Sequence, residues 1–217
     1  MIKIENTKVV GWEAALRGMR NPMNSWEKSD SLFTVPNEDE VYIGANDKAL
    51  AQKLADAGAV HAKYRRMIVV YVDVTAPLYF LKEFDTYKVG TVSNSCSTMH
   101  KIHEKEFTEE DFSCEHLHML VDDYGNNINF MTTLRQTIAA LNAARRMYVE
   151  TKEKVWWWQM IQLLPSSYNQ KRTIMLNYEV LANIYKWRRN HKLDEWQVFC
   201  DWIETLPYSE LITGVRE

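Results

Sequence analysis

The chain has 217 residues, 46% of them hydrophobic, and its 26 Lys and Arg against 29 Asp and Glu give a formal charge of -3. The length suits one well-buried domain over residues 1–217, because only 7 Gly and 5 Pro are scattered along it and no Gly/Pro/Ser linker divides it. The charge balance excludes a general surface for nucleic-acid polymers, which needs clustered excess Lys and Arg, and no apolar run approaches the ~20 residues that span a membrane.

In chain order, residues Lys3 to Trp12 read as a strand and Glu13 to Met19 as a short helix, followed by a loop from Arg20 to Pro36 with Asn21, Pro22, Asn24 and Ser25 as breakers. Asn46 is the expected cap of a helix whose Leu50, Leu54 and Ala57 share one face, and Gly58 closes it. His61 to Met67 continues as helix into a strand over Ile68 to Thr75, where Val70, Val72 and Val74 alternate with Tyr71, Asp73 and Thr75. Pro77 ends that strand, and Leu78, Leu81 and Phe84 follow at helical spacing. Thr91 to Thr98 then crowds hydroxyls, an amide and a thiol into a run that reads as the lead into a helix. Thr108 and Asp111 have capping-box spacing, which predicts a helix over Phe112 to Val121, broken by Gly125, Asn126 and Asn127. The remainder reads as helices over Ile128 to Tyr148, Lys152 to Leu164, Lys171 to Arg189 and Asp194 to Glu204, with Pro165 and Pro207 as stops. Strands first and helices after argue for an α+β fold.

Three cysteines, Cys96, Cys114 and Cys200, form an odd set with no signal peptide before them, which fits a reducing cytoplasm better than a disulfide framework. Cys96, His100 and His103, with Cys114, His116 and His118, match no standard zinc module, so no metal is expected. Trp156, Trp157 and Trp158 are consecutive, so on a helix at least one faces away from the local core and suggests an oligomer interface or a groove.

The segment from Val70 to Lys101 resembles the signature region of the flavin-dependent thymidylate synthases. That family has a strand, a Pro, an apolar turn, Arg-His-Arg, and then a spaced run of Ser, Asn, Ser and Arg. Counting from Pro77, Arg-His-Arg falls on Thr86, Tyr87 and Lys88, the first Ser on Thr91, the Asn on Ser93 and the second Ser on Cys96. One inserted residue instead matches Asn94 and Ser97 directly. Downstream, Leu164, Pro165, Asn177, Leu181 and Arg188 fall in register with a second family segment, in which the nucleotide-binding Arg is replaced by Glu179. Upstream, His61 falls on a family His, and Arg65 stands where the family has Glu.

The resemblance implies a small, mainly antiparallel sheet packed by long helices, a homotetramer, and a ligand pocket between subunits. It also implies a nucleotide-like ligand held by Tyr87, Lys88, Thr91, Ser93, Asn94, Ser97, Asn177, Glu179 and Arg188. Hydroxyls and backbone N–H groups at a helix start, with a nearby Lys, suit a phosphate; Arg145, Arg146, Arg172 and Arg189 are weaker candidates for a clamp. A carboxylate at Glu179 repels a phosphate placed where the family holds one. FAD, the family's cofactor, is expected to bind weakly or not at all, because the turn that holds it has lost Arg-His-Arg. Two functions stay open: a non-catalytic protein that sequesters or senses a nucleotide, and a methyl or hydroxymethyl transferase acting on a pyrimidine nucleotide.

Overall fold

A computed structural model describes residues 2–33 and 41–214; the last part of the predicted loop, through Pro36, lies outside them. In chain order the elements are β1 (Lys3–Val10), α1 (Trp12–Arg20), β2 (Leu32–Phe33), β3 (Val41–Tyr42), α2 (Ala45–Asp56), β4 (Val69–Pro77), α3 (Leu78–Phe84) and β5 (Val92–Ser95). There follow β6 (Met119–Val121), β7 (Asn127–Asn129), α4 (Phe130–Thr151), α5 (Lys154–Leu163), β8 (Asn169–Asn177), α6 (Tyr178–Arg188), α7 (Asp194–Glu204) and α8 (Glu210–Thr213). The main sheet has the order β1-β4-β8-β5. Its central pair is antiparallel: Leu78 N donates to Tyr168 O at one end and Tyr178 N to Ile68 O at the other. The α+β fold with a small antiparallel sheet is as expected from the sequence. Among the described residues no helix is long and apolar enough to cross a membrane.

The chain forms two compact units, each built from separated segments. One comprises Thr75–Glu83 and Ser95–Arg172. Its core packs Ile102, Phe107 and Phe112 with Leu134, Ile138 and Leu141 of α4 and Met160 of α5. Asn142, buried mid-helix, is kept satisfied because its carboxamide accepts from Phe107 N and donates to Phe107 O. Trp157 donates to Met99 O, while Trp158 is 42% exposed, so the outward residue of the tryptophan run is Trp158.

The second unit comprises the described residues within 2–74, 84–94 and 173–214. Val70, Val72 and Val74 are buried while Tyr71 is exposed, the alternation read from the sequence. Phe84, Trp196 and Phe199 form an aromatic cluster with ring centroids 5.7 to 6.3 Å apart. At the other side of this unit Arg20 and Asp47 form a buried ion pair, Nε to Oδ1 at 2.6 Å. Asp47 also accepts from the Ser29 and Ser31 hydroxyls and from the backbone N–H of Asp30 and Ser31. These bonds tie the 29–31 segment to α2.

Several sequence expectations are corrected here. The cap of α2 is not Asn46: the helix starts at Ala45, and Asp30 receives the N–H of Asn46 and Asp47. Its buried face is centred on Asp47 and Ala51, with Leu50 and Leu54 only half-buried and Ala57 exposed. His61 to Met67 holds one 3-10 turn, Lys63–Arg66, not an α-helix. The polar run from Thr91 leads into no helix. It forms β5, an exposed end strand, because Cys96 N finds its acceptor at Lys171 O across the ladder. The Thr108–Asp111 capping box is real but serves a single 3-10 turn, and Met119–Val121 pairs with Asn127–Asn129 as a hairpin. Residues 169–177, read as the start of a long helix, are strand β8. There Gln170, Ile174 and Leu176 are buried with more exposed neighbours between them, a period-2 pattern that the short run left ambiguous.

The folded Asp47 carboxyl titrates below its ordinary value. Burial alone raises it, and the bonds from Ser31, Ser29 and Arg20 with the Arg20 charge outweigh that effect. Its contribution to stability is therefore complete above the ordinary carboxylate range and is lost as pH falls through the folded pKa. Asp47→Ala, which strands the Arg20 charge, is expected to cost about 3 to 5 kcal/mol, read as a lower urea midpoint at neutral pH.

Candidate functional site

Within the second unit, a cleft of about 1180 Å³ is lined by the end of α2, the 3-10 turn carrying Arg65 and Arg66, the turn at Thr86–Gly90, α6 and the end of α8. The N-terminus of α6 fixes its floor. Asn177 caps this helix, its Oδ1 accepting from Glu179 N and Val180 N. That role consumes the carboxamide oxygen and leaves the Nδ2 amide to face the turn. Gly90 lies against it at φ +82, and a Cβ there would stand 3.0 Å from Asn177 Nδ2.

Glu179 does not confront a ligand as a bare charge. Its Oε2 accepts from Arg65 Nε and Nη2, both at 2.8 Å, and Arg65 Nη1 donates to Leu211 O at 3.1 Å. Arg65 is 8% exposed. At these two positions the resemblance places Glu and Arg in the opposite order, so the chain carries the pair with its polarity reversed. The sequence held this signal as two reciprocal departures from one pattern, Arg65 and Glu179. Only the fold shows that they touch.

Of the residues expected at a site, Tyr87, Asn177 and Glu179 line this cleft. Arg188 stands behind Tyr87. Its Nε donates to the Tyr87 hydroxyl at 2.9 Å, and its guanidinium lies 4.9 Å over the Trp196 ring, so it orients Tyr87. Lys88, Thr91, Ser93 and Asn94 are outside the lining; Ser93 and Asn94 sit exposed on β5, and Thr91 keeps a buried hydroxyl without a partner among the described residues. Ser97 belongs to the first unit, where its hydroxyl accepts from Met99 N and His100 N and closes a local turn. Of the weaker clamp candidates, Arg145 donates to His103 O and Arg172 to Gln170 Oε1.

The sequence reading missed two cations of the lining. Arg66 and Lys186 line the cleft, and neither has an acidic partner among the described residues. The third, Arg189, is ion-paired with Asp201 and Glu204. Tyr185 donates to Glu204 Oε1, and burial together with that carboxylate pushes its hydroxyl up to about 12, so it stays protonated at neutral pH. Cys200 is buried and its thiol is pushed up to about 11, chiefly by burial, which leaves little thiolate. The Thr86-Tyr87-Lys88 turn offers one cation, and its tyrosine is engaged with Arg188 and Trp196, so it does not fit the paired charges of a dinucleotide pyrophosphate. Among the described residues no group of three or more His, Cys, Asp or Glu is placed to hold a metal.

No family model and no curated protein matches the sequence. Solved structures do. Thymidylate synthase X from Helicobacter pylori with FAD and dUMP aligns at 17% identity and TM-score 0.67, over 98% of this chain and 97% of that one. A second structure of the Helicobacter pylori flavin-dependent enzyme gives 16% and 0.66, over 98% and 96%. A UMP/dUMP methylase from Streptomyces cacaoi, bound with 5-Br dUMP, gives 14% and 0.60 over 99% and 94%. These likenesses establish the fold of the chain.

The reversed pair generates a stability test. Glu179→Arg sets two guanidinium groups against each other and Arg65→Glu two carboxylates; each is expected to cost about 3 kcal/mol. The double variant Arg65→Glu/Glu179→Arg should recover at least half of the summed loss, measured by denaturant unfolding in a double-mutant cycle.

Proposed function

We propose that this chain binds a pyrimidine nucleotide in the cleft of the second unit and retains it without transforming it. The observation that carries this reading is the pair of unengaged cations, Arg66 and Lys186, in one cleft with Tyr87 and Asn177, within a fold whose solved neighbours were crystallised with dUMP or a brominated analogue. Two positive groups on an open rim suit the phosphate, and the ring end reaches toward the α6 N-terminus. The place of the phosphate thus moves from the polar run at Thr91–Ser97 to the Arg66 and Lys186 side. Glu179, already neutralised by Arg65, no longer bars an anion from the cleft as a whole.

Retention rather than transfer is supported by the lining, whose described residues contribute carboxylates, amides, cations and phenols but no thiol or imidazole. In this reading FAD is not held, because the turn at Thr86–Lys88 lacks the paired charges. The active transferase is the second reading, and a yellow protein with stoichiometric flavin would favour it. A self-assembled homotetramer, with the whole chain acting as one functional domain, completes the proposal. Exposed Trp158, Val155 and Leu163 on α5 offer an apolar surface for it.

Calorimetric titration with pyrimidine monophosphates tests the site. Arg66→Ala and Lys186→Ala should each weaken binding by about 1 to 3 kcal/mol with little change in melting temperature. Ser93→Ala, on the exposed strand, should bind as the unaltered protein does. Loss of binding in Ser93→Ala, with the two cation variants unaffected, would return the site to the polar run.

A further inference from the structure

The hydrogen-bonding capacity left over in the cleft has a definite polarity. Asn177 has spent its carbonyl oxygen on the α6 cap, which fixes the orientation of the carboxamide, and its Nδ2 makes no bond among the described residues. Tyr87 accepts the Arg188 Nε–H, a group that can only donate, so its hydroxyl proton remains to be given. Glu179 has spent Oε2 on Arg65, and Oε1 is an acceptor with no partner among the described residues. The cleft therefore offers two donors and one acceptor.

Their arrangement distinguishes the pyrimidines. The two donors share one wall: Asn177 Nδ2 abuts Gly90, three residues beyond Tyr87 in the same turn. The acceptor is drawn to the other side, where Arg65 anchors Glu179 to the Leu211 carbonyl of α8. Uracil and thymine present a ring N–H between two carbonyl oxygens, and so need an acceptor flanked by donors. Cytosine presents two adjacent acceptors, the carbonyl oxygen and the ring nitrogen, and then an amino group that donates. A carboxylate accepting from that amino group is the pairing chemistry expected for cytosine.

We infer that the cleft takes a cytosine-type base, with its amino group on Glu179 and its two acceptors toward Tyr87 and Asn177. The inference rests on the nucleotide reading above and departs from the uracil ligands of the solved neighbours. A pyrimidine lacking the amino donor leaves the half-buried Glu179 oxygen desolvated and unpaired, which is the larger part of the discrimination.

Calorimetry with dCMP and dUMP on the full-length protein tests it. The expected result is dCMP bound on the order of tenfold or more tightly than dUMP, the scale of one charge-assisted hydrogen bond. Tyr87→Phe, which removes only the hydroxyl, should weaken dCMP several-fold, and Glu179→Gln should erase most of the preference. Should Glu179→Gln not fold, Tyr87→Phe and the dCMP/dUMP ratio of the unaltered protein still decide. Equal or tighter binding of dUMP would overturn the base assignment while leaving the nucleotide reading in place. Failure of both nucleotides to bind at millimolar concentration would overturn the two together.

Discussion

The Arg65–Glu179 ion pair is the constraint on which the cleft depends. Removing two charges from water is costly, and their attraction offsets that cost only when the remaining donors and acceptors are also satisfied. Arg65 meets this condition by giving Nε and Nη2 to one carboxylate oxygen and Nη1 to Leu211 O, which links the 3-10 turn after α2, the first turn of α6 and α8 through one side chain. Because both N–H bonds converge on Oε2, the pair also sets which oxygen of Glu179 stays available. A structural bond thereby determines the chemistry that the cleft can offer.

The remaining lining follows from groups that already have a fixed role. Asn177 closes β8 and caps α6, so the end of the strand and the start of the helix fix one amide in place. The 87–90 turn approaches that amide only because residue 90 has no side chain and adopts a positive φ, a conformation that glycine accepts at little cost. Arg188, one residue from the end of the α6 helix, holds Tyr87 against the Phe84–Trp196–Phe199 cluster. Tyr87 is thus oriented from the aromatic core, while Arg66 and Lys186, on the rim, keep their charge for a ligand.

Much of the fold was legible because its signals were local or periodic. The valine alternation of β4, the stop at Pro77, the face of α3 and the bounds of α7 all appear where the pattern put them. The failures share a cause. Thr91–Thr98 has the composition of a cap, and 169–177 lies in a helical stretch of sequence; both became strands because their backbone groups found partners far away in the chain, a non-local effect that composition does not carry. The site divided in the same way. Asn177 and Tyr87 were visible from motif position, and so was the oddity of Glu179. That Arg65 answers Glu179, that Arg188 serves Tyr87, and that Arg66 and Lys186 line the same cleft required the chain to be folded.

The central claim is that a pyrimidine nucleotide enters the second unit's cleft, at the α6 N-terminus, and not the polar run around β5. Backbone amide shifts on titration with a pyrimidine monophosphate report this most directly. The account predicts that the largest shifts cluster at residues 86–90, 177–180 and 186, with 93–98 nearly unmoved. Shifts concentrated at 93–98, with the α6 N-terminus unchanged, would contradict it.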